Sequence, residues 1–376
     1  MDARLTQEQQ RIRETAEEFI EGEGGIELAR RRMDGDESVV DELWAELADL
    51  DYTAITVPFE YEGFGEDIVY LTALLEVAGK YALPGPLPET AAVAVPLIDG
   101  LGTDDQKAQY LPDIATGDAK WSFALYDDRN ESLPNAIQLE AEVDDDGFRL
   151  HGTKTLVPYG GEVDRVLVAA RTRDGVGNGG ISLFAVDADE VEARQLESLD
   201  RTRPMYELTF DDVEVTKSAL IGPLHGAGGA LEDAVDRYIV STYAMLVGAA
   251  DRAVDMSVDH GNEREQYGQP VGRFQAVKHR TAEMWVDMQS SRSLVYYAAW
   301  ALENEEPEAS RIVSSLKTYA ADRLNRAFGD GMKNHGGMGF TWDHDGHIYI
   351  KQAKAFRNFL GSPEEHADAV IDARLS

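Results

Sequence analysis

The stretch REQYGQPVGRFQ at 264–275 sets Arg264, Tyr267 and Gln275 close together in sequence. At that spacing a guanidinium can fork onto pyrophosphate oxygens, an aromatic ring can stack on a flat ring, and a carboxamide can read polar edges. Taken alone, the same residues also describe a helix end with an exposed arginine. Gly336, Gly337 and Gly339 permit close backbone approach to a ligand, or a plain turn between helices. His344 and His347, flanked by aspartates in TWDHDGHIY, have the spacing of a metal-binding pair. The run GVGNGG at 175–180 has the glycine content of a phosphate loop. It lies between two strand-like segments and opens no helix, so it reads as a surface loop. Cysteine is absent, which removes disulfides, thiolate metal sites and a cysteine nucleophile.

The elements that must position these residues fall into three regions. Up to about residue 118 the apolar period is helical: Leu5, Ile12, Ala16, Phe19 and Ile20 recur at steps of three to four, as do Leu43, Leu47 and Leu50. A further helix over Tyr70–Ala82 is expected to stop at Pro84, Pro86 and Pro88, and a capping box at Thr103–Gln106 starts a short helix limited by Pro112. From about Trp121 to Ile221 the period becomes two. Strands are expected at Trp121–Leu125, Ile137–Val143, Phe148–His151, Val166–Ala170, Ile181–Val186 and Tyr206–Phe210. Beyond Gly228 long helical stripes return over Ala234–Asn262, Gln275–Glu303 and Ala309–Lys333, the pattern of an antiparallel four-helix bundle. Trp285 and the YYAAW run at 296–300 read as core aromatics of that bundle.

The chain has 376 residues, room for two or three domains, and carries 35 basic against 70 acidic residues for a net charge of −35. Such a surface repels nucleic-acid phosphates, so DNA or RNA binding is excluded as a main function. The acids are dispersed, which describes a solvated coat or an adaptation to high salt, where counterions screen the self-repulsion. No run approaches the ~18–20 apolar residues of a membrane span, and the charged N-terminal stretch lacks a signal-peptide core. A cytoplasmic location is expected.

Several motifs, in order along the chain, resemble the acyl-CoA dehydrogenases. Ala54–Gly65 (AITVPFEYEGFG) is similar to the family's "vPeeyGGlG", and Gly102–Asp118 to the run that leads into its β domain. Gly152-Thr153-Lys154 matches "nGtK", Phe210–Val215 matches "fddVxV", and the stretch from Arg264 to Gln275 nearly completes "ReqFGxpixxfQ". The resemblance implies an α+β, mainly α fold, with an N-terminal helical domain over 1–118, a middle β-barrel-like domain over 119–222 and a C-terminal four-helix bundle over 223–376. It implies FAD as cofactor, an acyl-CoA substrate and an electron-transfer flavoprotein as acceptor. Arg264 and Gln275 then reach the FAD of a neighbouring subunit, Tyr267 is a further cofactor-binding position, and Gly336 and Gly337 approach the ADP half. Lys333 stands where the family often has glutamine. Leu125 and Tyr126, in the stretch that stands for the family's "ALTE", and Val157 and Pro158 after the "GTK" turn, become the flavin-covering positions. For His344 and His347 the match to "TwEHdxHly" implies structural hydrogen bonds and no metal.

In the family's usual reaction a carboxylate removes the proton α to the thioester carbonyl while a hydride leaves the β-carbon for the flavin. Most members keep that glutamate near the C-terminus, where this chain has Leu360. A smaller set keeps it about seven helical turns before the "ReqFG" arginine, where this chain has Tyr238. Leucine accepts no proton, and an ordinary tyrosine is protonated at neutral pH. Asp236 is the weak substitute, two residues away and so on another helix face. The ending FLGSPEEH resembles a subgroup acting on steroid side chains and dicarboxylic acids, in which two unlike chains assemble and one lacks the base. A base-lacking subunit of such a tetramer is therefore expected. A self-sufficient enzyme using Tyr238 or Asp236, in a homo-oligomer, and a non-catalytic scaffold are the alternatives.

Overall fold

The computed structural model of the chain describes residues 5–127, 132–144, 146–175 and 177–375. In chain order come α1 (Gln7–Gly22), α2 (Ile26–Met33), α3 (Ser38–Asp49), α4 (Ile68–Lys80), α5 (Leu87–Glu89), a π turn (Thr90–Ala94), α6 (Val95–Leu101) and α7 (Asp104–Ala115). Strands follow: β1 (Trp121–Ala124), β2 (Glu140–Val143), β3 (Gly147–Pro158), β4 (Arg165–Arg171), β5 (Ile181–Asp187), β6 (Glu192–Gln195), β7 (Met205–Thr216) and β8 (Leu220–Ile221). The remainder is α8 (Gly228–Glu263), a small hairpin of β9 (Glu265–Gln266) and β10 (Gln269–Pro270), then α9 (Gln275–Glu303), α10 (Ala309–Asn334), α11 (Gly346–Asn358) and α12 (Pro363–Leu375). Two compact units divide these elements. One holds the chain up to Asp36, Ile68–Pro84 and everything from Ile239; the other holds Glu37–Asp67 and Gly85–Tyr238.

In the second unit the strands form an eight-stranded sheet in the order β6-β7-β3-β2-β4-β5-β8, with β1 alongside β4. The ladder does not close on itself among the described residues. Its centre is β4 and β5, buried almost throughout, as their near-continuous apolar runs VLVAA and ISLFAV require. β6 is exposed along its length, as an edge strand rich in charge can be. β3 and β7 run well past the expected Phe148–His151 and Tyr206–Phe210, because register shifts at Leu150/Gly152 and Lys154/Val157 break the two-residue alternation. The capping box at Thr103 and Gln106 forms as expected, with Gln106 N–H on Thr103 Oγ1 and Thr103 N–H on Gln106 Oε1. Pro112, however, does not limit α7; it lies inside the helix, which continues to Ala115. The helix expected over Tyr70–Ala82 does stop ahead of its prolines: α4 ends at Lys80, and helix resumes only at Leu87. Pro88 occupies the first turn of α5, where a missing N–H costs little. The glycine-rich loop near 175–180 is gathered by Arg171, whose guanidinium donates to the carbonyls of Ile137, Pro134, Gly177 and Gly179.

In the first unit α9 packs against α10 and α4, and α10 against α11 and α12. Two glycines let helix backbones touch: a Cβ on Gly79 would lie 1.9 Å from the Met245 carbonyl oxygen, and one on Gly248 1.7 Å from that of Glu76. Glu76 is buried and held by Arg13 (2.9 Å), Arg292 (2.9 Å) and the Tyr296 hydroxyl (2.8 Å), which supplies the charge and hydrogen bonds that burial removes. Tyr296 is thus a polar clamp more than a core aromatic. Trp285 departs from expectation altogether and is 52% exposed.

Candidate active site

The C-terminal base position lies in the turn between α11 and α12. Leu360 is buried there in a left-handed conformation (φ 59°). Its carbonyl accepts from His366 Nε2 at 2.9 Å, and the buried Lys317 ammonium donates to the neighbouring Phe359 carbonyl. Burial pushes Lys317 down to about 7, against a smaller opposing pull from Glu365. Glu364 and Glu365 are fixed in the first turn of α12: Glu364 pairs with Arg357 at 2.9 Å, and Glu365 accepts the Ser362 N–H at 2.6 Å. No loop is left by which either carboxylate swings back to Leu360.

The other base position is built differently. Tyr238, on α8, donates its hydroxyl to Glu89 Oε1 at 2.7 Å and accepts from Arg203 Nη2 at 3.0 Å. Arg203 also pairs with Glu89, and their side chains are only 1% and 0% exposed. Burial raises Tyr238 well above its ordinary range, reinforced by the Glu89 charge. Burial works against the Arg203 charge, but Glu89, Tyr238 and Tyr159 outweigh it and hold the guanidinium above its usual range. A phenol held this way donates and does not accept a proton. Asp236 is buried on the same helix and is already engaged within the chain. Sequence reasoning missed Glu89 and Arg203. The available signal was a lone acid heading the apolar run LPETAAVAVPL.

The expected flavin-covering residues come together in the sheet unit. Leu125 and Tyr126 follow β1, and an isolated bridge joins Tyr126 to Thr155. The Leu125 carbonyl accepts from Lys154 Nζ at 3.0 Å, and Lys154 reaches Asp127 at 2.9 Å. Burial lowers Lys154 to about 8, partly opposed by Asp127. Val157 pairs with Tyr206, and Pro158 with Met205, just beyond the bulge that sets Leu156 at φ 56°. Beside the bulge opens a cavity of about 600 Å³ lined by Asp127, Thr155, Leu156, Met205 and the Arg194–Glu207 pair. Tyr126 brings a buried ring where the family has threonine.

The second set comes together in the helical unit. Arg264 opens the β9–β10 hairpin, and its carbonyl accepts the Val271 N–H at 2.7 Å. At the hairpin tip Tyr267 is 92% exposed, with φ 53° and its ring edge-on to Phe274 at 6.0 Å. Gln275 is the exposed first residue of α9. His335, its ring tilted against His260 at 4.6 Å between centroids, brings Gly336 and Gly337 to the same end of α8, and a Cβ on either glycine would meet nothing within 4 Å. Arg264 has no ion-pair partner among the described residues, and the first turn of α9 has no side-chain cap. An unengaged guanidinium, an uncapped helix start and an open glycine pair suit the diphosphate of FAD. His344 and His347 each make a local hydrogen bond. His344 Nδ1 accepts the Gly346 N–H at 3.1 Å, and His347 Nε2 donates to the Trp342 carbonyl at 3.0 Å.

Two family models match the chain: the N-terminal domain of acyl-CoA dehydrogenase over residues 6–118, and its C-terminal domain over 232–375. Between them they take in more than half of the sequence, and the chain belongs to the acyl-CoA dehydrogenase superfamily. It is an oxidoreductase of the acyl-CoA dehydrogenase type, a flavoprotein with FAD as its cofactor. An acyl-CoA dehydrogenase of Bacillus subtilis is 28% identical over 370 residues, 96% of each chain. The 3-(aryl)acrylate reductase of Clostridium sporogenes is 27% identical over 372 residues, again 96% of each. Among solved structures, butyryl-CoA dehydrogenase from Megasphaera elsdenii superposes with a TM-score of 0.92 at 25% identity, covering 100% of both chains. A chain from the structure of the electron-transferring flavoprotein of Acidaminococcus fermentans does so with a TM-score of 0.91 at 28% identity, also over 100% of both. Among the described residues no helix is long and apolar enough to cross a membrane.

Proposed function

We propose that the chain works in the cytoplasm as a subunit without its own base, in a heterotetramer with a second, unlike acyl-CoA dehydrogenase chain that keeps the glutamate. The observation that carries this reading is the fate of the two base positions. One is a buried leucine, and the other is a tyrosine whose hydroxyl donates to Glu89 and accepts from Arg203. FAD, when bound, takes up the hydride from the acyl β-carbon. This chain's own part is to hold cofactor: Leu125, Tyr126, Val157 and Pro158 on the sheet unit cover its own flavin, and the exposed Arg264 and Gln275, with Tyr267 and the open Gly336–Gly337 pair, serve the FAD of a neighbouring subunit. An acyl-CoA thioester is the substrate of the assembled complex. An electron-transfer flavoprotein is the acceptor, a reading supported by the similarity to the chain from Acidaminococcus fermentans.

Co-purification from the native source identifies the partner, the flavin and any bound acyl-CoA together. The chain purified alone with FAD should give little α,β-dehydrogenation of any acyl-CoA, since a positioned base is worth about 10²–10⁴ in rate. Adding the partner should restore turnover, and replacing the partner's glutamate should abolish it. Robust turnover by the isolated chain defeats the proposal.

A further inference from the structure

We propose that Tyr159 is a positioning residue for the flavin, locking the bulged end of β3 at Leu156–Tyr159 in place with Arg203 bracing its ring. The proposal rests on the reading of this stretch as a flavin-covering segment. Leu156 (φ 56°) and Tyr159 (φ 50°) are non-glycine residues in a region that L side chains rarely occupy. Such a pair persists only where the surroundings over-determine it, and such places cluster at functional sites.

The surroundings here do so at several points. The Tyr159 side chain is fully buried; its hydroxyl accepts the Gly85 N–H at 2.8 Å and donates to the Thr202 carbonyl at 3.1 Å. Its own N–H donates to the Pro204 carbonyl at 2.9 Å. Ser122 donates to the Pro158 carbonyl from β1. The Arg203 guanidinium lies 5.6 Å from the Tyr159 ring centroid, and Glu89 and Tyr238 fix that guanidinium. Asp200 shapes the loop that presents Thr202 and Arg203 by accepting the Thr202 N–H (2.9 Å) and hydroxyl (2.7 Å). Tyr238, at a position where some relatives hold the base, therefore belongs to the scaffold of the flavin-covering stretch. The bulge between Lys154 and Val157 turns Thr155 and Leu156 out of the β3–β7 register and onto the wall of the cavity of about 600 Å³.

The test uses the full chain. Tyr159→Phe removes only the hydroxyl that bridges Gly85 and Thr202. It should keep the far-UV spectrum, speed amide exchange over 155–160 in the apoprotein, weaken FAD binding about tenfold and shift the flavin absorption band. Leu156→Trp, in parallel, should quench flavin fluorescence by bringing an indole against the ring. Quenching in Leu156→Trp with an unchanged FAD affinity and band in Tyr159→Phe overturns the clamp and leaves the stretch over the flavin. No quenching in Leu156→Trp removes both ideas. If Tyr159→Phe does not fold, Ser122→Ala, which cuts the separate tie at Pro158, decides. Faster exchange over 155–160 and a shifted band support the clamp, and unchanged values for both overturn it.

Discussion

Replacing Tyr238 by glutamate returns a carboxylate to a position where part of the family keeps its base, and the neighbours of Tyr238 set the cost. Glu89 Oε1 lies 2.7 Å from the Tyr238 oxygen, and Arg203 is the cation paired with it. Two buried carboxylates this close do not both ionise, so one keeps its proton at neutral pH. Holding a glutamate protonated at pH 7, against its ordinary value near 4.3, costs about 4 kcal/mol at about 1.4 kcal/mol per unit. Loss of the edge-to-face contact between Tyr238 and Phe123, whose centroids are 4.8 Å apart, adds about 1 kcal/mol. The total, about 5 kcal/mol, approaches the whole stability of a marginal domain. The sign with pH follows from a raised folded-state value. The penalty is nearly absent below the unfolded value near 4.3 and grows as pH rises through neutrality. Tyr238→Phe, which loses one hydrogen-bonding hydroxyl, should cost about 1–3 kcal/mol with little pH dependence. Denaturant titrations of the three proteins between about pH 4.5 and 8 separate these outcomes. A Tyr238→Glu protein as stable as its parent at pH 7, with a flat pH profile, would refute the buried triad as described.

Arg264→Ala should strip FAD from the oligomer without lowering the melting temperature of the apoprotein; normal flavin occupancy would end the assignment of Arg264 to the cofactor. If the −35 charge is a salt adaptation, the melting temperature should climb steeply from low to molar salt, and a flat or falling curve removes that reading. Lys317, lowered to about 7 by burial, favours the neutral form in the folded state, so its penalty is full below pH 7 and fades as pH rises toward 10.5. Lys317→Met should therefore stabilise the chain at pH 7, by about 1–4 kcal/mol after loss of the Phe359 bond, and by less at pH 10. An advantage that does not shrink with pH would contradict this.

Much of the architecture was legible because it depends on local signals. The apolar stripes set α9 and α10 to within one residue of the expected spans, while α8 starts six residues before the expected Ala234, and Thr103–Gln106 announced α7 by side-chain chemistry alone. The candidate site was legible only where it coincides with a contiguous motif, as between Arg264 and Gln275. Glu89 was not, because nothing local compels a carboxylate into a core. Its burial depends on Arg203, 114 residues further along, and on Tyr238, 149 residues further along. The lengths of β3 and β7 were hidden for a related reason: bulges at Gly152 and Leu156 reset which side chains face inward. Pro112 misled because a proline lowers helix propensity without forbidding it: α7 carries Pro112 in its interior and continues to Ala115.

The contact through Gly79 and Gly248 also divides the helical glycines for anyone engineering a hardier variant. Glycine-to-alanine exchange in a helix ordinarily stabilises by about 0.4–1 kcal/mol through the unfolded chain's lost freedom. At Gly79 and Gly248 the added methyl would strike a carbonyl oxygen of the facing helix, so that route is closed there. At Gly100, Gly229 and Gly329 a Cβ would meet nothing within 4 Å, and these are the positions where alanine raises the melting point.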